Sequence, residues 1–177
     1  MSAKGLRKTA RGKPPVAWFR VGLSLAFLGC GSPPPHPPNP TRPLDERRAV
    51  EIILTAFREE GDRGVTGRTI TLAGGKFLSV DVSGAGKRYG VAYVTANDRR
   101  ALGLAVPAPQ PGMEDALHLI RGTQSDSDAR ILVLQDTDYL YDDQVGEEHE
   151  ETVVTAEGKL DRDVRDFIVR AHVEKWP

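Results

Sequence analysis

Thr69-Ile70-Thr71-Leu72-Ala73-Gly74-Gly75-Lys76-Phe77-Leu78-Ser79-Val80-Asp81-Val82-Ser83-Gly84-Ala85-Gly86-Lys87-Arg88-Tyr89-Gly90-Val91-Ala92-Tyr93-Val94 decides the fold class. Three apolar segments lie within it, at 69–72, 77–82 and 88–94. The first two alternate polar with apolar residues, the period of a half-buried strand. In the second, Leu78, Val80 and Val82 fall on one face. Gly74-Gly75 and Ser83-Gly84-Ala85-Gly86 supply tight turns between the segments. The stretch is expected to be an antiparallel meander. Gly86-Lys87 invites comparison with a phosphate-binding loop, but Asp81 stands where its first glycine belongs and Arg88 where its Ser or Thr belongs. A hairpin turn accounts for these glycines.

Outward from the meander, both flanks read as helices. Ala49, Val50, Ile53, Leu54, Ala56 and Phe57 recur at helical spacing, which predicts a helix over 44–60. Asp45 or Thr41 can cap its start and Gly61 can end it. Leu160, Val164, Phe167, Ile168 and Ala171 predict a second helix over 160–175. Its Asp161–Arg165, Arg162–Asp166, Asp166–Arg170 and Arg170–Glu174 pairs stand at i,i+4. Between meander and last helix, 97–102 suits a helical turn, 107–112 a loop, and 116–120 a short strand or helix. Residues 130–141 suit a strand around Ile131-Leu132-Val133-Leu134, and 151–156 one more. The expected fold is α+β: an antiparallel sheet, meander plus one or two further strands, with N- and C-terminal helices packed on one face. Residues 44–177 form its single domain.

The first 43 residues differ in kind. Lys4, Arg7, Lys8, Arg11, Lys13 and Arg20 precede or interrupt an apolar run that ends at Phe27-Leu28-Gly29-Cys30, and the first acid of the chain is Asp45. The strict run, Val21 to Leu28, is shorter than the roughly 20 residues a membrane span requires. Charge, apolar core and a small residue before a cut make a secretory signal. Cys30 is the only cysteine, so no disulfide can form within the chain. Gly31 to Pro40 contains six prolines, which favour an extended linker at about 3.1 Å per residue.

Residues 1–32 resemble bacterial lipoprotein signals, with Phe27 and Leu28 where such signals most often carry Leu and a small residue. The resemblance implies cleavage between Gly29 and Cys30. It also implies a diacylglycerol on the Cys30 sulfur and an acyl chain on the new amino terminus. Segments 1–29, 30–43 and 44–177 are then signal peptide, lipidated cysteine with proline-rich linker, and domain. An anchor of two or more chains holds stably. Gly31, in place of the aspartate that often marks inner-membrane retention, favours the outer membrane, with the domain facing the periplasm.

Charge narrows the partners. Residues 44–177 hold 17 bases against 25 acids. An acidic domain repels phosphate backbones, so nucleic acid is not an expected partner, whereas a basic protein or envelope component is. The densest acids run from Asp136 to Glu151, with no Lys or Arg between. If 136–138 were extended, Asp136 and Asp138 would share a strand face. Asp136, Asp138, Asp142 and Asp143 are the candidate ligands for calcium, which prefers such oxygens. A calcium-dependent module or small enzyme using Asp136–Glu151 is the alternative function, and a purely structural envelope protein is a third. The spacing matches no EF-hand, and the chain has neither a Gly-x-Ser-x-Gly elbow nor a His-Glu-x-x-His pair. His118 reads as a packed edge residue, His172 as a surface residue and His36 as part of the linker. His149, inside the acidic run, lacks the further His or Cys that zinc recruits. Tyr139 and Tyr141 read as half-buried strand residues, and Trp176 as a residue packed against the sheet or an edge.

Overall fold

The computed structural model describes residues 39–107, 117–143 and 151–177. In chain order come β1 (Thr41–Pro43), α1 (Glu46–Glu59), β2 (Gly64–Val65), β3 (Arg68–Thr71), β4 (Phe77–Val80), β5 (Val82–Gly84) and β6 (Tyr89–Val94). Then follow α2 (Ala96–Leu102), β7 (Leu119–Arg121), β8 (Arg130–Gln135), β9 (Leu140–Asp142) and α3 (Val153–Val173). The fold is α+β.

The central sheet has the order β2-β5-β6-β8-β7. Its middle pair is parallel, Tyr89 opposite Arg130 through Val94 opposite Gln135, and the other pairings are antiparallel. The sheet is therefore mixed, where the meander alone predicts antiparallel pairing. The physical reason is legible in β6 and β8. All six residues of β6 and five of the six in β8 are buried. Strands covered on both faces read as continuous apolar runs, and parallel pairing needs such cover.

Two layers supply it. Tyr89, Val91, Tyr93, Leu132 and Leu134 face one core with Ile53, Phe57, Leu160, Val164, Phe167 and Ile168 of α1 and α3. Both terminal helices thus pack on the same face, as expected. Ala92, Val94, Ile131 and Val133 face a second core with Ile70, Leu72, Leu78, Val80 and Leu102. That layer consists of the β3–β4 hairpin and α2. Gly74 and Gly75 turn the hairpin with φ of 71° and 72°, while the Leu72 amide donates to the Lys76 carbonyl at 2.7 Å. Lys87 N likewise donates to Gly84 O at 2.9 Å, closing the β5–β6 turn that the sequence suggests in place of a phosphate loop.

The helices meet through directed charge as well as apolar area. Arg48 holds Glu157 with two bonds, Nε–Oε1 2.7 Å and Nη2–Oε2 2.8 Å, and Arg165 reaches Glu59 of α1 and its C-cap Glu60 at 3.0 and 2.8 Å. Asp45 caps α1 by accepting from Arg48 N. Of the i,i+4 pairs, Asp161–Arg165 and Arg170–Glu174 form, at 3.9 and 2.7 Å.

Four expectations need correction. Val82 does not share a face with Leu78 and Val80, because the chain steps between layers at Asp81. Residues 130–141 are not one strand: Asp136–Asp138 is a single 3₁₀ turn that ends β8 before β9 begins. The segment near 151–156 is not a strand. Thr152 accepts from Thr155 N, so α3 starts at Val153, a full turn or more before its apolar stripe becomes obvious. Finally, Thr41–Pro43 is not linker but β1, antiparallel to β9, with the Arg42 guanidinium 5.0 Å from the Tyr141 ring centre.

Gly90 sits where β6 passes closest to its neighbours. A Cβ there would stand 2.7 Å from Val80 Cγ1 and 2.8 Å from Val82 O. Gly90→Ala is expected to cost about 1–3 kcal/mol through overpacking. Gly158→Ala, on the exposed face of α3 with nothing within 4 Å, is expected to add up to about 1 kcal/mol. Urea unfolding of the two variants beside the wild type measures both.

Candidate functional site: an acidic cleft at the end of β6

Asp81 is where β4 leaves the hairpin layer and β5 joins the central sheet. Its backbone N–H donates to Val91 O at 3.0 Å. Its Oδ2 accepts from Tyr93 N at 2.7 Å. The carboxylate thereby stands in for a strand carbonyl that β5 does not offer Tyr93. The same buckle opens a cleft of about 230 Å³ beside the end of β6. Phe77, Leu78, Ser79 and Asp81 form one side, Tyr93 and Val94 the floor, and Asp98, Ala101 and Leu102 of α2 with Glu46 of α1 the remainder.

Each acid has a reason to be there. Glu46 lies in the first turn of α1, where negative charge is favoured. Asp98 closes a capping box with Thr95 at the start of α2, its Oδ2 accepting from Thr95 N at 3.0 Å. Among the described residues no ion pair reaches Glu46, Asp81 or Asp98. The nearby cation, Lys76, donates to the Ala101 carbonyl at 2.9 Å. Burial, with the charges of Glu46 and Asp98 adding to it, pushes the Asp81 carboxyl up to about 6, against the lowering effect of the Tyr93 amide. A carboxylate so perturbed in a cleft marks a candidate functional site. Phe77 stands at the rim with 67 % of its surface exposed, although it is a large apolar side chain.

The acids singled out from the sequence are placed differently. Asp136 accepts from Ala96 N at 2.9 Å and so ties the end of β8 to the start of α2. Asp138, raised mainly by burial and held back by Lys159 and Arg99, lies in the 3₁₀ turn. Asp142 is buried and accepts from Glu151 N at 3.2 Å. Asp143 pairs with Arg42 at 2.8 Å. Among the described residues no group of three or more His, Cys, Asp or Glu is placed to hold a metal ion. Gly29, Cys30, His36, Glu147, Glu148, His149 and Glu150 lie outside the described residues.

The remaining candidates take structural places. His118 is half-buried, with Nδ1 lacking a hydrogen-bond partner among the described residues. Burial and Arg99 lower its pKa. His172 is a surface residue whose Nε2 lies 3.0 Å from Asp62 Oδ2. Tyr139 is fully buried rather than half-buried, and donates to Asp163 at 2.8 Å. Trp176 packs on Phe167 with ring centres 5.7 Å apart.

The chain matches no protein-family model, no curated protein and no solved structure.

Asp81 has a measurable signature. The folded chain holds its proton more tightly than an unfolded Asp, whose pKa is about 3.9. Its contribution to stability is therefore most favourable below about pH 4. That contribution declines as pH rises through about 6. Asp81→Asn keeps an oxygen for Tyr93 N and removes the charge. Its melting temperature is expected to exceed that of the wild type at pH 8 and to match it at pH 4. Asp81→Ala leaves the amide without that acceptor and is expected to fall below the Asn variant by about 1–3 kcal/mol at both pH values. Thermal melts followed by circular dichroism give all six values.

Proposed function

We propose that this chain is a lipid-anchored protein of the cell envelope whose acidic α+β domain binds a basic protein or envelope component at the cleft beside β6. One observation carries the binding half of this reading. Three carboxylates line an open, partly apolar cleft, and among the described residues no base pairs with them. The excess of acid over base in 44–177 gives the same sign at longer range, which speeds the encounter of opposite charges. Of the two other readings, neither calcium-dependent chemistry at Asp136–Glu151 nor a purely structural role draws comparable support.

The anchoring half rests on Cys30 and the signal-like residues before it. Among the described residues no helix is long and apolar enough to cross a membrane. The proposed attachment is covalent lipid at Cys30, and the proline-rich segment after it gives the domain reach. Since β1 begins at Thr41, the tether runs from Cys30 to Pro40. Extended at about 3.1 Å per residue, a tether of that length could reach roughly 30 Å. The outer membrane, periplasmic side, is the proposed location.

Expression of the full chain beside Cys30→Ala in a Gram-negative host tests the anchor. A membrane-bound product cut before Cys30, with a lipid-sized mass gain that the variant lacks, is the expected outcome. An uncut, unmodified chain in the soluble fraction overturns it. Neither result depends on what the cleft holds.

A further inference from the structure

The cleft's size, walls and charge together restrict what can occupy it. At about 230 Å³ it is below the roughly 300–1,000 Å³ of pockets that enclose drug-sized ligands. One long side chain is a better match for that space. A bare divalent cation is a poor match. Calcium takes six to eight oxygens at about 2.3–2.6 Å, whereas these acids do not gather into a chelating group. They stand on three different elements, Glu46 on α1, Asp81 between β4 and β5, and Asp98 on α2. Between them lie Phe77, Leu78, Val94, Ala101 and Leu102. Apolar wall with dispersed negative charge complements an amphipathic cation, a methylene stem that ends in a charged head.

We infer that the cleft is a receptor for a lysine or arginine side chain carried by a segment of a basic partner protein, its stem against Phe77 and Leu102 and its charge among Glu46, Asp81 and Asp98. This deepens the proposed function and rests on its binding half. The exposed ring of Phe77 gives the stem an apolar surface and the head a face for cation–π attraction. Lys76 does not compete, because its ammonium is held by the Ala101 carbonyl. The charged groups that act on Asp81 are Glu46 from α1 and Asp98 from α2, while the Tyr93 phenol of β6 donates to the Leu44 carbonyl at 3.0 Å. The phenol's pKa is raised by burial, so it stays neutral throughout the range in which Asp81 titrates.

The test is a titration of the full chain in detergent with three pentapeptides, Ala-Gly-X-Gly-Ala, where X is lysine, arginine or the uncharged isostere norleucine. Amide chemical shifts report the site. The lysine or arginine peptide is expected to move the amides of Phe77, Tyr93, Val94 and Leu102, and comparison of the two ranks the heads. Norleucine is expected to bind about tenfold or more weakly, the loss of one charge-assisted hydrogen bond. Asp81→Asn and the surface variant Glu46→Gln are each expected to weaken the charged peptides several-fold. Binding should also decline as pH falls through about 6, where Asp81 takes up its proton. Equal binding of norleucine overturns the inference. So do shifts spread over the acidic surface, affinity that both variants leave unchanged, or no binding by either charged peptide. Should Asp81→Asn fold poorly, Glu46→Gln alone decides. Failure here leaves the lipid anchor untouched, and failure of the anchor leaves this titration valid.

Discussion

The parallel pairing of β6 with β8 is the constraint on which the other layers depend. A parallel pair cannot be closed by a two-residue turn, so a crossover must run between its strands. Here α2 and β7 occupy that crossover. Both strands are buried on both faces, so neither cover can be removed without exposing apolar surface. α1 and α3 cover one face, and the β3–β4 hairpin with α2 covers the other. Side-chain size follows from this arrangement. On the hairpin side β6 offers Gly90 and Ala92, leaving room for Val80 to approach, while on the helix side it offers Tyr89, Val91 and Tyr93.

Much of this was legible in local pattern. The helical stripes of α1 and α3 stand out in the sequence, as do the double-glycine turn of the hairpin and the Gly84–Lys87 turn. What local pattern does not contain is partner choice. Ile131-Leu132-Val133-Leu134 announces a fully buried strand, yet the neighbour it selects, β6, lies some forty residues earlier. The first turns of α3 were hidden because Val153 and Val154 are β-branched and exposed, so they read as strand rather than helix. Asp136-Thr137-Asp138 reads as the continuation of a strand because it lies between the apolar run 131–134 and Tyr139-Leu140-Tyr141. Its actual geometry is a turn, closed by a bond from the Tyr139 amide to Asp136 O.

The acidic residues divide by what they accept from. Asp136, Asp142 and Asp143 spend their oxygens on Ala96 N, Glu151 N and Arg42, in effect splicing the end of β8, β9 and β1 to their neighbours. For Asp136 and Asp142, position in the acidic run follows from backbone amides that need an acceptor. The cleft acids come from three separated segments, at 46, 81 and 98. No sequence window contains all three, and only the buckle of the chain gathers them. Asp81 fills a polar position in the alternation of Leu78, Val80 and Val82, so local pattern carries no sign that those residues stop sharing a face there.

Asp81 therefore answers two demands at once. The step between layers leaves Tyr93 N without a strand carbonyl, and some oxygen must take its place. Asparagine would supply that oxygen without burying a charge beside Glu46 and Asp98. A carboxylate satisfies the same amide at a cost that burial and like charges both raise. Local folding explains an acceptor at this position, but it does not explain a negative one. The excess charge gains a physical role if a cation enters the cleft, because the cation offsets the repulsion and its own charge is met in return. Asp136 differs from Asp81, because its bond to Ala96 N is accounted for by joining β8 to α2. The proposed cation site lies at the seam where the hairpin layer meets the parallel strands.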